Sequence, residues 1–485
     1  MELREYTACD ATELRRLLAA GAVSAAEVRD AAVRAVEAVN GRLNAIVGGP
    51  YEDADGGDGP LAGVPFAVKD TLPEAGRPLG FGSRLLEGYV ARRDATLAER
   101  FRGAGLVSLV RTATPEFAFN TDTAPVAHGP TRNPWSPQRS PGGSSGGAAA
   151  LVAAHAVPWA HANDGGGSIR VPAAWCGLVG LKLSRGRVPI GPAVGEAVGG
   201  FAHEFAVTRT VRDAALLLDA VSGPAPGDRY FVARPATPYA EGLDDPVEPL
   251  RVALLAASPF GTQPEPAARA AVQATARALE AHGHRVEETA PPIGEEELRA
   301  CVDPIWSVDL ASLAGVFARV MGREPGPENV EAASWACIRH GRELSALDLD
   351  RAGASVNAIA RRWGRFLDEF DLFLCPTTPT AAPESGTPDQ DAARFDTAAA
   401  WMEEVFTRVP LTSIANITGQ PSISLPLGQT DDGMPLGVML TAQTLREDLL
   451  LRVGAQLEHA LPWAQRRPEV DAGRDAQNDA RMSAS

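Results

Sequence analysis

The chain has 485 residues, and its 45 basic against 61 acidic side chains leave a net charge of −16. An apolar content of 45% marks a folded globular protein, and the acidity argues against nucleic-acid or anionic-membrane partners, which require clustered Lys and Arg. The start, MELREYTACD, lacks the basic and apolar regions of a secretory signal, and nowhere do 18 apolar residues follow one another, so a cytoplasmic location is expected.

In chain order, Asp10 with Glu13 and Ser24 with Glu27 each set a cap residue three positions ahead of a Glu, predicting two amphipathic helices between residues 10 and 40. Residues 51–60 are rich in Gly and Asp and read as a surface loop. Residues 61–68, running into Lys69-Asp70, and residues 106–110 have buried-strand patterns. The stretch 112–147 is rich in Pro, Gly, Asn and Ser, and 148–157 is apolar and helix-like. Strands are predicted over 179–183 and 205–207, and a helix over 211–221. After a Pro/Gly-rich break at 223–227, a strand (251–256), a helix (266–281) and a strand (284–288) form a β-α-β unit. Residues 295–370 are mostly helical in period. Strands at 372–375, 421–425 and 435–440 and helices at 396–406 and 446–460 complete the pattern, and the polar tail 466–485 is expected to fray. Strands and helices alternate at both ends, which predicts one large α/β domain over residues 1–465.

The five cysteines are scattered without a CxxC pair. The eight histidines show no HExxH spacing, and His282 with His284 is only an i, i+2 pair. Neither a disulfide scaffold nor a metal site is expected, and no cofactor. The lysines are more informative. Of the 45 basic residues only Lys69 and Lys182 are lysine, and Lys can give up its proton where Arg cannot.

Two Gly/Ser clusters stand out, Arg139-Ser-Pro-Gly-Gly-Ser144-Ser145-Gly-Gly147 and Asn163-Asp164-Gly165-Gly166-Gly167-Ser168-Ile-Arg170. In the first, an apolar helix follows at once, unlike a flexible linker, and no lysine is near enough for a phosphate loop. Gly143 to Gly147 formally matches the G-x-S-x-G nucleophile elbow with Ser145 as nucleophile, although residues 138–141 make a poor preceding strand. In the second, three glycines before a serine let backbone N–H groups approach a ligand together, as an oxyanion hole requires. A tight structural turn is the plainer alternative.

Gly63-Val-Pro-Phe-Ala-Val-Lys69-Asp70, Gly142-Gly-Ser-Ser-Gly-Gly147, Asp164-Gly-Gly-Gly-Ser-Ile-Arg-Val-Pro172 and Cys176-Gly-Leu-Val-Gly-Leu-Lys182 together resemble the amidase signature family, as do Asn416-Ile-Thr-Gly-Gln-Pro421 and Asp432-Gly-Met-Pro-Leu-Gly437. Within it, the residues around Asn163 and Lys182 are similar to a bacterial branch of nylon-oligomer hydrolases and urethane-cleaving amidases. The resemblance implies a mixed central sheet with helices on both faces, a signature core over about 60–215 and a variable helical cover over about 290–405. It implies a Ser-Ser-Lys triad with Lys69 as base, Ser144 as bridging serine after a cis peptide bond, and Ser168 as nucleophile. Gly165, Gly166, Gly167 and Ser168 would form the oxyanion hole, with Ser145, Asp164 and Arg170 supporting them. Lys182, His128, His155 and His161 are read as structural. The chain departs from the commoner Thr-Asp-Thr-Gly-Gly-Ser form at Asn163 and Gly165, and from Lys-Pro-Thr at Leu183-Ser184.

The implied activity is hydrolysis of small or oligomeric amides through an acyl-enzyme, with esters and carbamates as further substrates. The alternative is a glutamine-hydrolysing subunit of an amidotransferase complex. Pocket residues are sought at Phe117, Asn120 and Thr121, and at Trp306, Trp335 and Trp401 in the variable half. The partner is a small-molecule amide, with a homodimer left open.

Overall fold

Strand-forming segments scattered from residue 46 to residue 442 meet in one eleven-stranded sheet. The computed structural model describes residues 1–52, 56–258 and 260–474. The strands are β1 (Ile46–Gly48), β2 (Pro65–Lys69), β3 (Val107–Thr112), β4 (Trp159–Asp164), β5 (Val179–Lys182), β6 (His203–Thr208), β7 (Arg251–Leu254), β8 (Arg285–Glu288), β9 (Leu372–Pro376), β10 (Ser422–Gln429) and β11 (Pro435–Ala442). Their order in space is β1-β3-β2-β4-β6-β5-β10-β11-β9-β7-β8. The sheet is mixed: β2 runs parallel to β3 and β4, and β7 to β8 and β9, while β4, β5, β6, β10 and β11 join antiparallel.

Periodicity placed most of these elements. The helices Val211–Val221 and Pro266–Ala281 have the predicted bounds, and the Ser24 and Glu27 side chains close the expected capping box. β4 was not predicted. The apolar run before it was read as one helix to residue 157, but the helix Gly146–Ala153 ends early, and His155 at φ 59° turns the chain into the strand. His161 and Asn163 hide β4 in the sequence, because its polar side chains point into bonded networks.

Two apolar cores flank the sheet. One gathers the helices Ala25–Leu43, Gly146–Ala153, Val211–Val221 and Glu447–Ala460 on the signature side. The other is formed by the helices Glu295–Met321, Ala332–Glu343, Ala346–Glu369 and Ala398–Arg408 and is rich in Trp, Phe and Met. Glu295–Met321 contains a window of mean hydropathy 1.3, long and apolar enough to cross a membrane by length and composition alone. Its Leu298, Val302, Ile305, Leu310 and Ala314 are instead buried in the core of the cover.

The expected fraying tail is anchored where it begins. Val470, Asp471 and Ala472 are buried, the Val470 N–H donates to the Pro134 carbonyl, and Asp471 meets His155 at 3.2 Å. Residues 475–485 of that tail lie outside the described residues.

Candidate active site

Because β2 and β4 are parallel neighbours, their C-terminal ends open at the same edge of the sheet. β2 ends at Lys69 and β4 at Asp164, and the serine cluster arrives there from the loop preceding the helix Gly146–Ala153. Glycine is required in that loop and in the first turn of the helix by close approach. A Cβ on Gly143 would stand 2.5 Å from the Asn120 carbonyl oxygen, and one on Gly147 2.5 Å from the Ala113 nitrogen. The Gly143–Ser144 peptide is cis. No strand precedes Ser145, which is the N-cap of its helix, so the elbow geometry is absent.

Lys69 is fully buried, and its Nζ lies 2.7 Å from Ser144 Oγ, 2.9 Å from Ser145 Oγ and 2.6 Å from Asn163 Oδ1. Burial pushes the amine down from its ordinary 10.5 to about 7, with the Glu204 and Asp164 carboxylates opposing the shift. Neither carboxylate touches it.

The glycine loop is held at both ends. Asp164 and Arg170 are fully buried and form a two-pronged ion pair, with both N–H···O contacts at 2.9 Å. Burial works to raise the Asp164 carboxyl, and the Arg170 guanidinium overrides it, holding the group well below the usual carboxylate range. Asp164 Oδ2 also accepts from the Ile169 N–H at 3.2 Å, closing the loop on itself. From the far half of the chain, Asn416 Nδ2 donates to the Asp164 carbonyl and to its Oδ1, both at 2.8 Å, and Thr412 Oγ1 donates to the Gly166 carbonyl at 2.6 Å. Gly167 takes φ +146°, and a Cβ there would meet Thr412 Oγ1 at 2.6 Å. Among the described residues, none accepts a hydrogen bond from the N–H groups of Gly165, Gly166, Gly167 or Ser168.

These glycines and the half-buried Ser168 line a narrow, largely apolar cavity. Asn120, Thr121 and Trp306 line it, and every other lining side chain is uncharged too, among them Phe119, Phe201, Met402 and Phe406. Trp306 stacks on Phe119 with centroids 4.9 Å apart and planes 17° apart, and its ring lies 3.0 Å from where a Gly165 Cβ would stand.

Phe117, Trp335 and Trp401 are not among the lining residues. Phe117, at φ 52°, turns into the apolar core under the cover, and Phe119 takes the place expected of it. Trp401 is fully buried beside Phe395, while Arg342 lies over the Trp335 ring. Lys182 is away from the serines, donating to the Leu183 carbonyl at 2.8 Å, and burial pushes its amine well below its ordinary value. His128 is exposed and His155 pairs with Asp471, whereas the His161 ring reaches Glu204 at 2.8 Å. Glu204 and Thr412 carry no local signal in the sequence. Asn163 and Asn416 stood inside motifs, but only as a departure and a closing element. Among the described residues, no three His, Cys, Asp or Glu side chains are arranged to hold a metal ion.

The amidase family model matches residues 36–451. The 6-aminohexanoate-cyclic-dimer hydrolase of Paenarthrobacter ureafaciens is 38% identical over 482 residues, covering 95% of this chain and 96% of that protein. A solved structure of a 6-aminohexanoate cyclic dimer hydrolase complexed with substrate superposes with a TM-score of 0.90 at 37% identity, over 96% of this chain and 99% of that one. A bacterial aryl acylamidase belonging to the amidase signature family superposes with a TM-score of 0.86 at 25% identity, over 96% and 98%.

Proposed function

The chain belongs to the amidase signature family, and from that premise we propose that it hydrolyses the C–N bond of uncharged carboxylic amides through an acyl-enzyme on Ser168. The observation that carries this is the buried Lys69 amine, 2.7 Å from Ser144 and unpaired with any carboxylate, beside a glycine loop whose N–H groups are unclaimed. A lysine held neutral is a base. In this mechanism Lys69 accepts the Ser144 proton as Ser144 accepts that of Ser168, and Ser168 Oγ attacks the amide carbonyl. The N–H groups of Gly165 to Ser168 receive the developing oxyanion, each donor contributing about 3 kcal/mol. The proton returns through Ser144 to the leaving nitrogen, the C–N bond breaks, and water enters by the same relay to release the acid.

The cavity supports neutral substrates. A free carboxylate or ammonium inside it would lose its hydration with no charged lining side chain to replace it. Cyclic amides, aryl amides and internal bonds of oligoamides fit that rule, and esters and carbamates present the same carbonyl to the same nucleophile. Glutamine, zwitterionic at its α-carbon, does not fit, which disfavours the amidotransferase-subunit alternative.

A serine-directed fluorophosphonate is expected to label the peptide carrying Ser168 and to abolish turnover. Ser168→Ala is expected to be unlabelled, inactive and normally folded by circular dichroism. Turnover retained by that variant would overturn the nucleophile assignment.

A further inference from the structure

A neutral lysine amine has two N–H donors and one lone pair, and as a base it is productive only when the lone pair faces the hydroxyl it deprotonates. Three oxygens surround Lys69 Nζ, so which of them take its two hydrogens decides where the lone pair points.

Asn163 Oδ1, at 2.6 Å, has no hydrogen and can only accept. Its orientation is fixed from behind, because Asn163 Nδ2 donates to Thr71 Oγ1 at 3.0 Å and to Glu204 Oε1 at 3.3 Å. Flipping the amide would set its NH2 against the lysine hydrogens and its carbonyl against the Glu204 carboxylate, two repulsions in place of attractions. Glu204 is held in turn by His161, whose Nε2 must carry the hydrogen because a carboxylate oxygen only accepts; that contact is 2.8 Å. Ser145 Oγ sends its own hydrogen to the Asn163 carbonyl at 3.3 Å, leaving its lone pairs for the second lysine N–H at 2.9 Å. Both lysine hydrogens are thereby assigned, and Ser144 Oγ at 2.7 Å is the oxygen left to meet the lone pair.

We propose that Asn163, locked by Glu204 and His161, is a positioning residue that turns the Lys69 lone pair onto Ser144. The charged groups acting on Lys69 from neighbouring elements are Glu204 of β6 and Asp164 of β4, the latter neutralised by Arg170, while Ser144, Ser145 and Thr71 contribute neutral hydroxyls. Glu204 therefore has a second effect. Its carboxylate favours the protonated amine, so it sets the pH at which the base becomes available.

The proposal rests on Lys69 acting as the base, and the test separates the two. Wild type, Asn163→Ala and Glu204→Gln are compared by pH–rate profiles on a neutral aryl amide. In Asn163→Ala, kcat is expected to fall at least about tenfold with KM within about twofold, since substrate contacts are untouched. Glu204→Gln keeps the shape of the side chain and removes its charge, so the rising limb is expected to move to lower pH by about half a unit or more. A purely structural role would lower the rate at every pH and leave the limb in place. An Asn163→Ala kcat within about twofold of wild type would overturn the proposal, and so would an unmoved limb in Glu204→Gln. Should Asn163→Ala fail to fold, the Glu204→Gln limb alone decides. A wild-type profile without a rising limb between about pH 6 and 8 would overturn the base assignment and this inference with it.

Discussion

The signature region, the floor beneath the cover, buries Lys69, Arg111, Asp164, Arg170 and Lys182 completely, each engaged in hydrogen bonds or ion pairs. Over it, the helical cover buries Trp363, Trp401, Phe373, Phe395 and Met402, which meet one another and their neighbours through apolar and ring contacts. Directional bonds fix atoms to a few tenths of an ångström and fail when one partner is removed, whereas apolar packing constrains volume and tolerates exchange among side chains of similar size. On the proposed function, the floor would carry the reaction, which needs fixed distances, and the roof the choice of substrate, which needs only a shape.

The most direct way to break this contrast is to remove one member of a floor network. Arg170→Met leaves Asp164 buried without its cation and is expected to cost about 3–5 kcal/mol in urea unfolding. The size-matched roof change Met402→Leu is expected to cost less than about 1.5 kcal/mol. Equal costs would mean that both walls follow one rule.

Lys69 sharpens the comparison through pH. Lys69→Arg keeps the charge but cannot accept a proton, and turnover is expected to fall about 100-fold or more. In the wild type, activity is expected to rise with pH through about 7 and then level off, because the proposed base works only unprotonated. Stability shares that sign. Between about 7 and 10.5 the unfolded chain holds a proton on Lys69 that the folded chain does not, so the contribution of this group grows with pH across that window. Chemical unfolding of wild type and Lys69→Met at several pH values reads this out, with the slope expected to be weaker in the variant.

The smallest expected effect concerns the roof. Trp306→Ala opens space beside Phe119 and over Gly165, and preference between compact and bulky neutral amides is expected to shift about tenfold in kcat/KM. Loss of all turnover on every amide would place Trp306 with the floor instead.

How much of this was legible in the sequence follows the same division. Helices such as Pro266–Ala281 announce themselves through a local 3.6-residue period, and Lys69 through being one of two lysines in an arginine-rich chain. β4 was hidden because its polar residues are buried in networks that a hydropathy pattern cannot express. Asn416 and Thr412 act on the glycine loop from 252 and 246 residues away, and no local pattern states which distant side chain will complete a bond. Phe117 was mistaken for a wall residue because a left-handed backbone turn, invisible in composition, exchanges its place with Phe119.

That long reach has a consequence for synthesis on the ribosome. A nascent chain that has emerged only as far as the end of β6 at Thr208 already contains Lys69, Ser144 and Ser168, but lacks the Thr412 and Asn416 that tie down Gly166 and Asp164. At about 5–20 residues per second, those tethers follow roughly 10–40 s later. During that interval the glycine loop lacks part of its scaffold, and the complete hydrolase is assembled only when β10 and β11 enter the middle of the sheet.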